Sequence, residues 1–557
     1  MCSPREQEKA QEAEYLSVDI FYSIFKIRND NNQEFRMPHP SETAKTYPHK
    51  PAIIVADALG GGDTMVTYRE LDERSNQAAQ LFRSLGLRTG DHIALMMENR
   101  REYLEICWGA QRAGLIYTAI SSHLKAEETA YILTNCEARL FIASPKVAEV
   151  AQAAASHATG VTHHFMVGGV RENFESWEEA TDAQPDTPID DQANGVPMLY
   201  SSGTTGQPKG VFVPPESNDV HAPHFLAPTL GAAFGFGEET VYLSPAPLYH
   251  AAPLHYNMLT LYMGGTTVIM EQFDPEHALA LIEEHRVTHS QWVPIMFVRM
   301  LKLPEALRNK YDLSSMQFAI HAAAPCPIET KEKMIDWWGP VIVEYYAASE
   351  SIGATLIDSP QWLTHKGSVG RAMMGEVHIV DEEGHELPPG EIGAIYFSGS
   401  QATFEYYKEP EKTAESYNER GWANTGDVGY LDEEGYLYLT DRKHFMIISG
   451  GVNIYPQEVE NLLITHDKVA DVAVFGIPHE EFGEEVKAVV QPQNWVDATD
   501  EVAIELMEWL RDRLSHIKIP RSIDFNEKLP RLDNGKLYKR HLVEEYRAAA
   551  RDDSLKE

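Results

Sequence analysis

Apolar residues recur along this chain as short continuous runs alternating with helical stripes, and that rhythm predicts most of its elements. Residues 1 to about 48 are polar; the first apolar run, Pro51-Ala-Ile-Ile-Val55, reads as the strand that opens the globular part. Thr67-Tyr-Arg-Glu70 has the form of a capping box opening a helix from Leu71 to Leu85. Leu71, Ala78, Leu81, Phe82 and Leu85 fall on one face of it, and Gly86 ends it. His92-Ile-Ala-Leu-Met96 reads as a strand, and a second helix follows around 101–113. Strand–helix alternation continues to about residue 290, which predicts mostly parallel α/β layers.

The stretch 366–440 breaks that rhythm. It is rich in Gly, Tyr and short strand patterns, such as Glu391-Ile-Gly-Ala-Ile-Tyr-Phe397 and Gly435-Tyr-Leu-Tyr-Leu439, and predicts a distorted antiparallel barrel. The main boundary is expected at Asp441-Arg442, dividing a domain over 1–441 from one over 442–557. Past it, Val469–Phe475 and Val486–Val490 read as strands, and Leu506, Met507, Leu510 and Leu514 line one helical face. That is a small α+β unit. The expected class is therefore α/β: a large N-terminal domain of layered subdomains plus a distorted β-barrel, followed by a small α+β domain. Pro185 to Pro197 reads as a solvated linker, and no internal repeat is present.

With 557 residues, 43% apolar, the chain has enough core for several subdomains and is no disordered polymer. Its net charge of −37 argues against nucleic acid or an anionic membrane as the main partner. Four cysteines (Cys2, Cys107, Cys136, Cys326) with no CxxC pair argue for a reduced compartment, without zinc or a disulfide framework. The charged N-terminus has no apolar h-region and no run of about 18 apolar residues exists, so a cytoplasmic protein is expected.

Between the strand-like runs Val196–Tyr200 and Val211–Val213 lies Ser201-Ser-Gly-Thr-Thr-Gly-Gln-Pro-Lys-Gly210. Its three glycines let backbone N–H groups approach an anion, its hydroxyls add donors, and Lys209 brings a cation. Ser201, Ser202, Gly203, Thr204, Thr205, Gly206 and Lys209 are thus candidate phosphate-binding residues. By composition alone, a flexible Ser/Thr/Gly linker fits as well. It is not a Walker A loop, since Lys209 follows Pro208 and precedes Gly210.

The string from Tyr200 to Val211 resembles the AMP-binding signature of the adenylate-forming superfamily, which includes acyl-CoA synthetases. Further elements resemble the same family in the same order. They are Tyr345-Tyr-Ala-Ala-Ser-Glu350, Thr425-Gly-Asp427, Asp441-Arg442 with Met446–Pro456, and Pro530-Arg-Leu-Asp-Asn-Gly-Lys536. Together they span about 200 to 540. The hinge string Asp-Arg-Lys-His-Phe-Met-Ile-Ile-Ser-Gly-Gly is similar to that of bacterial fatty-acid and steroid-acid CoA ligases.

The resemblance implies a two-step reaction with ATP, Mg²⁺ and coenzyme A. A carboxylic acid and ATP give acyl-AMP and pyrophosphate; the small C-terminal domain then turns and CoA thiol displaces AMP. It implies that Lys536, otherwise a surface lysine in a turn, bridges the carboxylate and the α-phosphate. Glu350 would ligate Mg²⁺, Asp427 would accept the ribose hydroxyls, and Tyr346 would stack on adenine, with Tyr345, Ala347 and Ser349 beside it. Arg442 would reach the ribose or phosphate, and Ala322 and Ala323 would flank the nucleotide. Gly450 and Gly451 would leave room for pantetheine. His250 matches a position that gates the acyl pocket in related ligases, though a histidine between prolines could equally be structural. Two elements depart from the family: in one Ala347 and Ser349 replace Gly and Thr, and in the other His444 with Phe445 occupies the hinge.

Candidate acyl-pocket residues are Trp292, Val293, His321, Ala324 and Gly353, together with Ala322 and Ala323. The small side chains of Ala322, Ala323, Ala324 and Gly353, and the absence of a basic residue for an amino-acid or dicarboxylate head, point to a bulky hydrophobic acid, a long-chain fatty acid or a steroid side-chain acid. An adenylating enzyme that loads a separate carrier protein is the alternative. About 20 residues follow Lys536 in this sequence, too few for a carrier domain, so a peptide-synthetase module is not expected. The expected partners are the acid, ATP and CoA, with no nucleic acid or membrane span and with a homo-oligomer left open.

Overall fold

The computed structural model describes residues 39–56, 63–201, 208–215, 217–222, 231, 233–348, 350–399, 404–442, 446–449, 452–479, 482–531, 537, 539 and 542–546. The chain enters through β1 (Pro51–Ala56) and β2 (Thr64–Thr67), then α1 (Tyr68–Ser84). The capping box at its start is formed on both sides: Glu70 N–H donates to Thr67 Oγ1 at 3.3 Å, and Thr67 N–H donates to Glu70 Oε2 at 2.7 Å. Gly86, at φ +82°, turns the chain out of the helix.

Next come β3 (His92–Met96), α2 (Arg101–Arg112), β4 (Ile116–Ile120), β5 (Leu140–Ala143), β6 (His163–Met166), β7 (Glu175–Ser176) and β8 (Val196–Pro197). The six strands pair in parallel, in the order β7-β6-β5-β3-β4-β8. β3 and β5 are buried along their whole length, which is why they read as unbroken apolar runs and not as alternation. β8 takes up the last residues of the predicted linker.

Strands β9 (Leu199–Ser201) and β10 (Lys209–Phe212) form an antiparallel hairpin. The larger sheet is then completed by β11 (Val241–Ser244), α3 (Ala251–Tyr262), β12 (Thr266–Met270), β13 (His289–Trp292), α4 (Pro294–Leu301), β14 (Phe318–His321), α5 (Ile328–Trp338), β15 (Ile342–Ala347), β16 (Ala354–Asp358) and β17 (Arg371–Met374). Its nine strands run β17-β16-β15-β14-β13-β11-β12-β1-β2. The central strands are parallel, and β2, β16 and β17 are antiparallel additions at its edges. One face is packed with Tyr242, Leu254, Tyr256 and Ile320, the other with Leu243, Trp292, Phe297 and Ala319.

Beyond 375 the pattern changes as expected. β18 (Glu376–Val380), β19 (Gly393–Ser398), β21 (Ala423–Leu431) and β22 (Leu437–Arg442) make a four-stranded antiparallel sheet, while β20 (Glu405–Tyr406) joins the β9–β10 hairpin. The C-terminal unit comprises β23 (Ile447–Ser449), β24 (Val452–Ile454), α6 (Pro456–Leu463), β25 (Val469–His479), β26 (Gly483–Pro492), α7 (Asp500–Arg511) and β27 (Ser522–Phe525), in one five-stranded sheet. α7 stops at Arg511, so Leu514 lies past it. Among the described residues no helix is long and apolar enough to cross a membrane.

One buried carboxyl has a measurable consequence. Glu105 on α2 is 3% exposed, and burial pushes its pKa up to about 7, although Arg74 Nε lies 3.7 Å from Oε1. Arg101 also opposes that rise, while Glu102 and Glu70 add to it. A folded-state pKa above the unfolded value gives stability that is present at acid pH and lost as pH climbs from about 4.5 through about 7. Glu105→Gln carries no such loss. Thermal melts are therefore expected to favour the variant over the parent increasingly between about pH 5 and about pH 8. A constant difference across that range would show that Glu105 does not titrate there.

Candidate active site

The site is built where three elements converge. The antiparallel pairing of β9 with β10 places Lys209 opposite Ser201. Residues Ser202, Gly203, Thr204, Thr205 and Gly206 lie outside the described residues. From Lys209 the ammonium stands over the ring of Tyr406, 4.5 Å from its centroid, where the ring's negative face attracts a cation. Tyr406 is brought there because β20 pairs with β10.

The hydroxyl of Tyr406 donates to Glu350 Oε1 at 2.8 Å. Burial, with the Glu350 carboxylate as a second cause, pushes that phenol pKa up and keeps it a donor. Glu350 itself sits in a turn after β15, where Ser351 N–H donates to the Ala348 carbonyl at 3.0 Å and Ser351 takes φ +56°. A half-buried carboxylate with one oxygen held by a phenol presents the other to a hard divalent cation, so its chemistry fits magnesium. Tyr406 was not legible as a site residue: a lone tyrosine in a short strand carries no distinguishing pattern.

A second group forms around Asp427. Tyr346 Oη donates to Asp427 Oδ2 at 2.7 Å, tying the end of β15 to β21. Asp427 is aligned by its own loop: its N–H donates to Thr425 Oγ1 at 3.2 Å, and Gly426 N–H donates to Asn424 Oδ1 at 2.6 Å. Arg442 is the cross-strand partner of Asp427 on β22. The structure thus brings Lys209 to Glu350 through Tyr406, and Tyr346 to Asp427 and the backbone of Arg442. Ala347 ends β15, between Tyr346 and the Glu350 turn. Ser349, His444, Gly450, Gly451 and Lys536 lie outside the described residues.

Strand parity separates the other candidates. Trp292, His321 and Glu344 are cross-strand partners in one row across β13, β14 and β15. That row faces α4 and α5: the His321 ring lies 5.5 Å from Phe297, and Lys331 Nζ reaches Glu344 Oε2 at 2.6 Å. The opposite face carries Ile320 and Tyr345 toward α3, with the rings of Tyr345 and Tyr256 6.3 Å apart. His250 is the N-cap of α3 and so stands at the mouth of this second face, away from Trp292 and His321.

Val293 caps the start of α4 and is 4% exposed. Ala322 and Ala323 follow β14; Ala322 N–H donates to the Trp292 carbonyl at 3.3 Å, and Ala323 is exposed at φ +74°. Ala324 is half-buried. At Gly353 a Cβ would meet the Phe397 ring at 2.0 Å, so glycine there lets β19 pack against the main sheet. Cys107 and Cys136 are buried, and burial holds the Cys136 thiol at about 12, so neither is a nucleophile at neutral pH.

The sequence matches the family model for the AMP-binding enzyme over residues 41–407, and that for the AMP-binding enzyme C-terminal domain over residues 458–536. It is 33% identical over 505 residues to a feruloyl-CoA synthase of Amycolatopsis sp, covering 90% of this chain and 96% of that protein. A long-chain-fatty-acid–CoA ligase of Mycobacterium tuberculosis is 33% identical over 492 residues, 87% of this chain and 94% of the relative. Among solved structures, ATP-bound MatB from Rhodopseudomonas palustris superposes with a TM-score of 0.75 at 28% identity, over 91% of this chain and 99% of that one.

Proposed function

The chain belongs to the AMP-binding enzyme family and is an AMP-forming acyl-CoA synthetase, and from that premise we propose that its acid is large and apolar, a long-chain fatty acid or a steroid side-chain acid. ATP and CoA are its co-substrates. The first step forms a bond between a carboxylate oxygen and the α-phosphorus and releases pyrophosphate. The second forms the thioester and releases AMP.

A carboxylate and a phosphate repel each other, so the first step needs positive charge placed in advance. Lys209 supplies one charge beside the phosphates, and Lys536 another between the two reacting anions. Glu350 would hold Mg²⁺, which neutralises phosphate charge when bound. Asp427 holds the ribose and Tyr346 the adenine, their mutual hydrogen bond fixing both before the nucleotide arrives. After pyrophosphate leaves, rotation about His444 brings Ser449-Gly450-Gly451 to the pantetheine path, where small side chains leave room for the arm.

The observation that carries the choice of acid is the wall beginning at His250. α3 contains no Asp, Glu, Lys or Arg, and its one internal histidine, His255, is lowered by burial to about 4 and so stays neutral. An acyl chain lying along α3 would meet no charged side chain of that helix. In a coupled assay over a panel of acids, long apolar acids are expected to exceed acetate and benzoate in kcat/KM by about tenfold or more. Two further buried methylenes at about 0.8 kcal/mol each already exceed the roughly 1.4 kcal/mol that tenfold requires. A preference for acetate or for a dicarboxylate contradicts the proposal.

One observation favours a second reading, an aromatic acid. Tyr242 and Tyr256 are stacked at 5.9 Å and 16°, and Tyr256 faces Tyr345, so rings with phenol edges line the same side. A hydroxycinnamate outrunning every fatty acid in the panel would establish that reading instead.

A further inference from the structure

The loop that joins β14 to α5, residues 322–327, is pinned at both ends to one buried carboxylate. At its start, His321 is the cross-strand partner of Glu344, and its Nε2 lies 3.7 Å from Glu344 Oε2. At its exit, Lys331 Nζ donates to the same oxygen at 2.6 Å, while the Lys331 N–H closes the first turn of α5 on the Pro327 carbonyl at 3.0 Å. All three side chains are out of water, 0% exposed for His321 and Lys331 and 6% for Glu344. Burial, with Lys331 as a second cause, holds the His321 pKa well below its ordinary value, so the ring is neutral and the cluster is one cation with one anion. Replacing such a pair by apolar residues of similar volume is often neutral or stabilising, so stability alone is a weak reason for it.

The loop it closes is strained. Ala323 stands at φ +74°, a left-handed conformation that a residue with a Cβ keeps only where its surroundings over-determine it. Ala322 is fastened from the other side, its N–H donating to the Trp292 carbonyl at 3.3 Å. Ala323 itself is exposed, just past the carboxyl end of parallel β14, where an open α/β sheet receives its ligand. On β15, two residues past Glu344, Tyr346 reaches Asp427 at 2.7 Å. One carboxylate therefore sits at the root of both the Ala323 turn and the Tyr346 strand end.

We propose that Lys331 and Glu344 are positioning residues for the nucleoside: their pair holds the left-handed turn at Ala323 and the end of β15 in the arrangement that binds ATP, acyl-AMP and AMP. The proposal rests on the nucleotide lying between Ala322, Ala323 and Tyr346, with Asp427 on its ribose. Neither charge touches the nucleotide, because both lie on the α5 side of the sheet. They act through the backbone they fasten, so their loss weakens ground state and transition state alike and shows in KM more than in kcat.

The test uses the double variant Lys331→Met with Glu344→Gln, which leaves no buried charge unpaired, and a triple variant that adds Ala323→Gly. AMP affinity is measured by calorimetry, and KM for ATP in acid-dependent pyrophosphate exchange. In the double variant both are expected to weaken by about fivefold or more, with turnover at saturating ATP and KM for the acid within about twofold. The triple variant should recover part of the AMP affinity, because glycine takes a positive φ without the Cβ penalty. Unchanged AMP affinity in the folded double variant overturns the proposal, as does a triple variant that recovers nothing. Should the double variant not fold, Glu344→Asp decides: it keeps both charges and shortens one arm by a methylene, and AMP affinity equal to the parent's overturns the proposal. Asp427→Ala is titrated beside them. If it weakens AMP while the double variant does not, the positioning role alone fails. If it binds AMP as the parent does, the nucleotide site is misplaced and the proposal falls with it.

Discussion

Lys536→Ala is expected to lower acyl-adenylate formation by about a hundred- to a thousandfold while thiolysis of supplied acyl-AMP by CoA stays near the parental rate. The reason lies in the charges. In the first step two anions meet, and removing the cation between them leaves their repulsion unscreened. In the second a thiol attacks a mixed anhydride, and AMP leaves as a good leaving group without that lysine. The measurement is single-turnover formation of each product from its own starting materials. A variant equally slow in both steps would mean that Lys536 holds the fold or serves both reactions.

Glu350→Gln is the second large effect expected, with adenylate formation falling by about a hundredfold and the magnesium concentration for half-maximal rate rising. Glutamine keeps the size of the side chain, and its carbonyl oxygen still accepts from the Tyr406 hydroxyl, which now sits 2.8 Å from Glu350 Oε1. What disappears is the negative charge, so an intact melting profile with a shifted magnesium titration isolates electrostatics from packing. An unchanged magnesium dependence would move the metal site elsewhere.

Much of the architecture was open to sequence reading because local signals agreed with the tertiary outcome. Thr67 and Glu70 form the capping box their spacing predicts, and His92–Met96 is a strand over the expected residues. The Ser201–Gly210 stretch proves to join two strands, β9 and β10, and the strand-rich region after Gly375 forms an antiparallel sheet.

What could not be read was which residues share a face across strands far apart in sequence. Trp292 and His321 each precede a loop at the end of a parallel strand, the place where an α/β sheet carries its chemistry, yet both point toward α4 and α5. Tyr345 and Ile320, one residue away from that row, point toward α3. A period of two makes the difference, and nothing local in the sequence says which parity faces the helix that His250 caps. Tyr406 was hidden for a related reason. Its contacts, Lys209 and Glu350, come from segments far from it in sequence and meet only through the β20–β10 pairing. Lys331 and Glu344 were equally silent: nothing local says that a lysine on α5 and an acid on β15 meet out of water.

The most direct measurement is acid-dependent exchange of labelled pyrophosphate into ATP by the unmodified enzyme with no CoA present. A free-standing first step requires exchange under those conditions, saturating in the acid, and a fall in exchange when CoA is added and drains the adenylate to thioester. No exchange without CoA, or exchange that ignores the acid, would contradict a reaction that passes through acyl-AMP before the thiol is engaged.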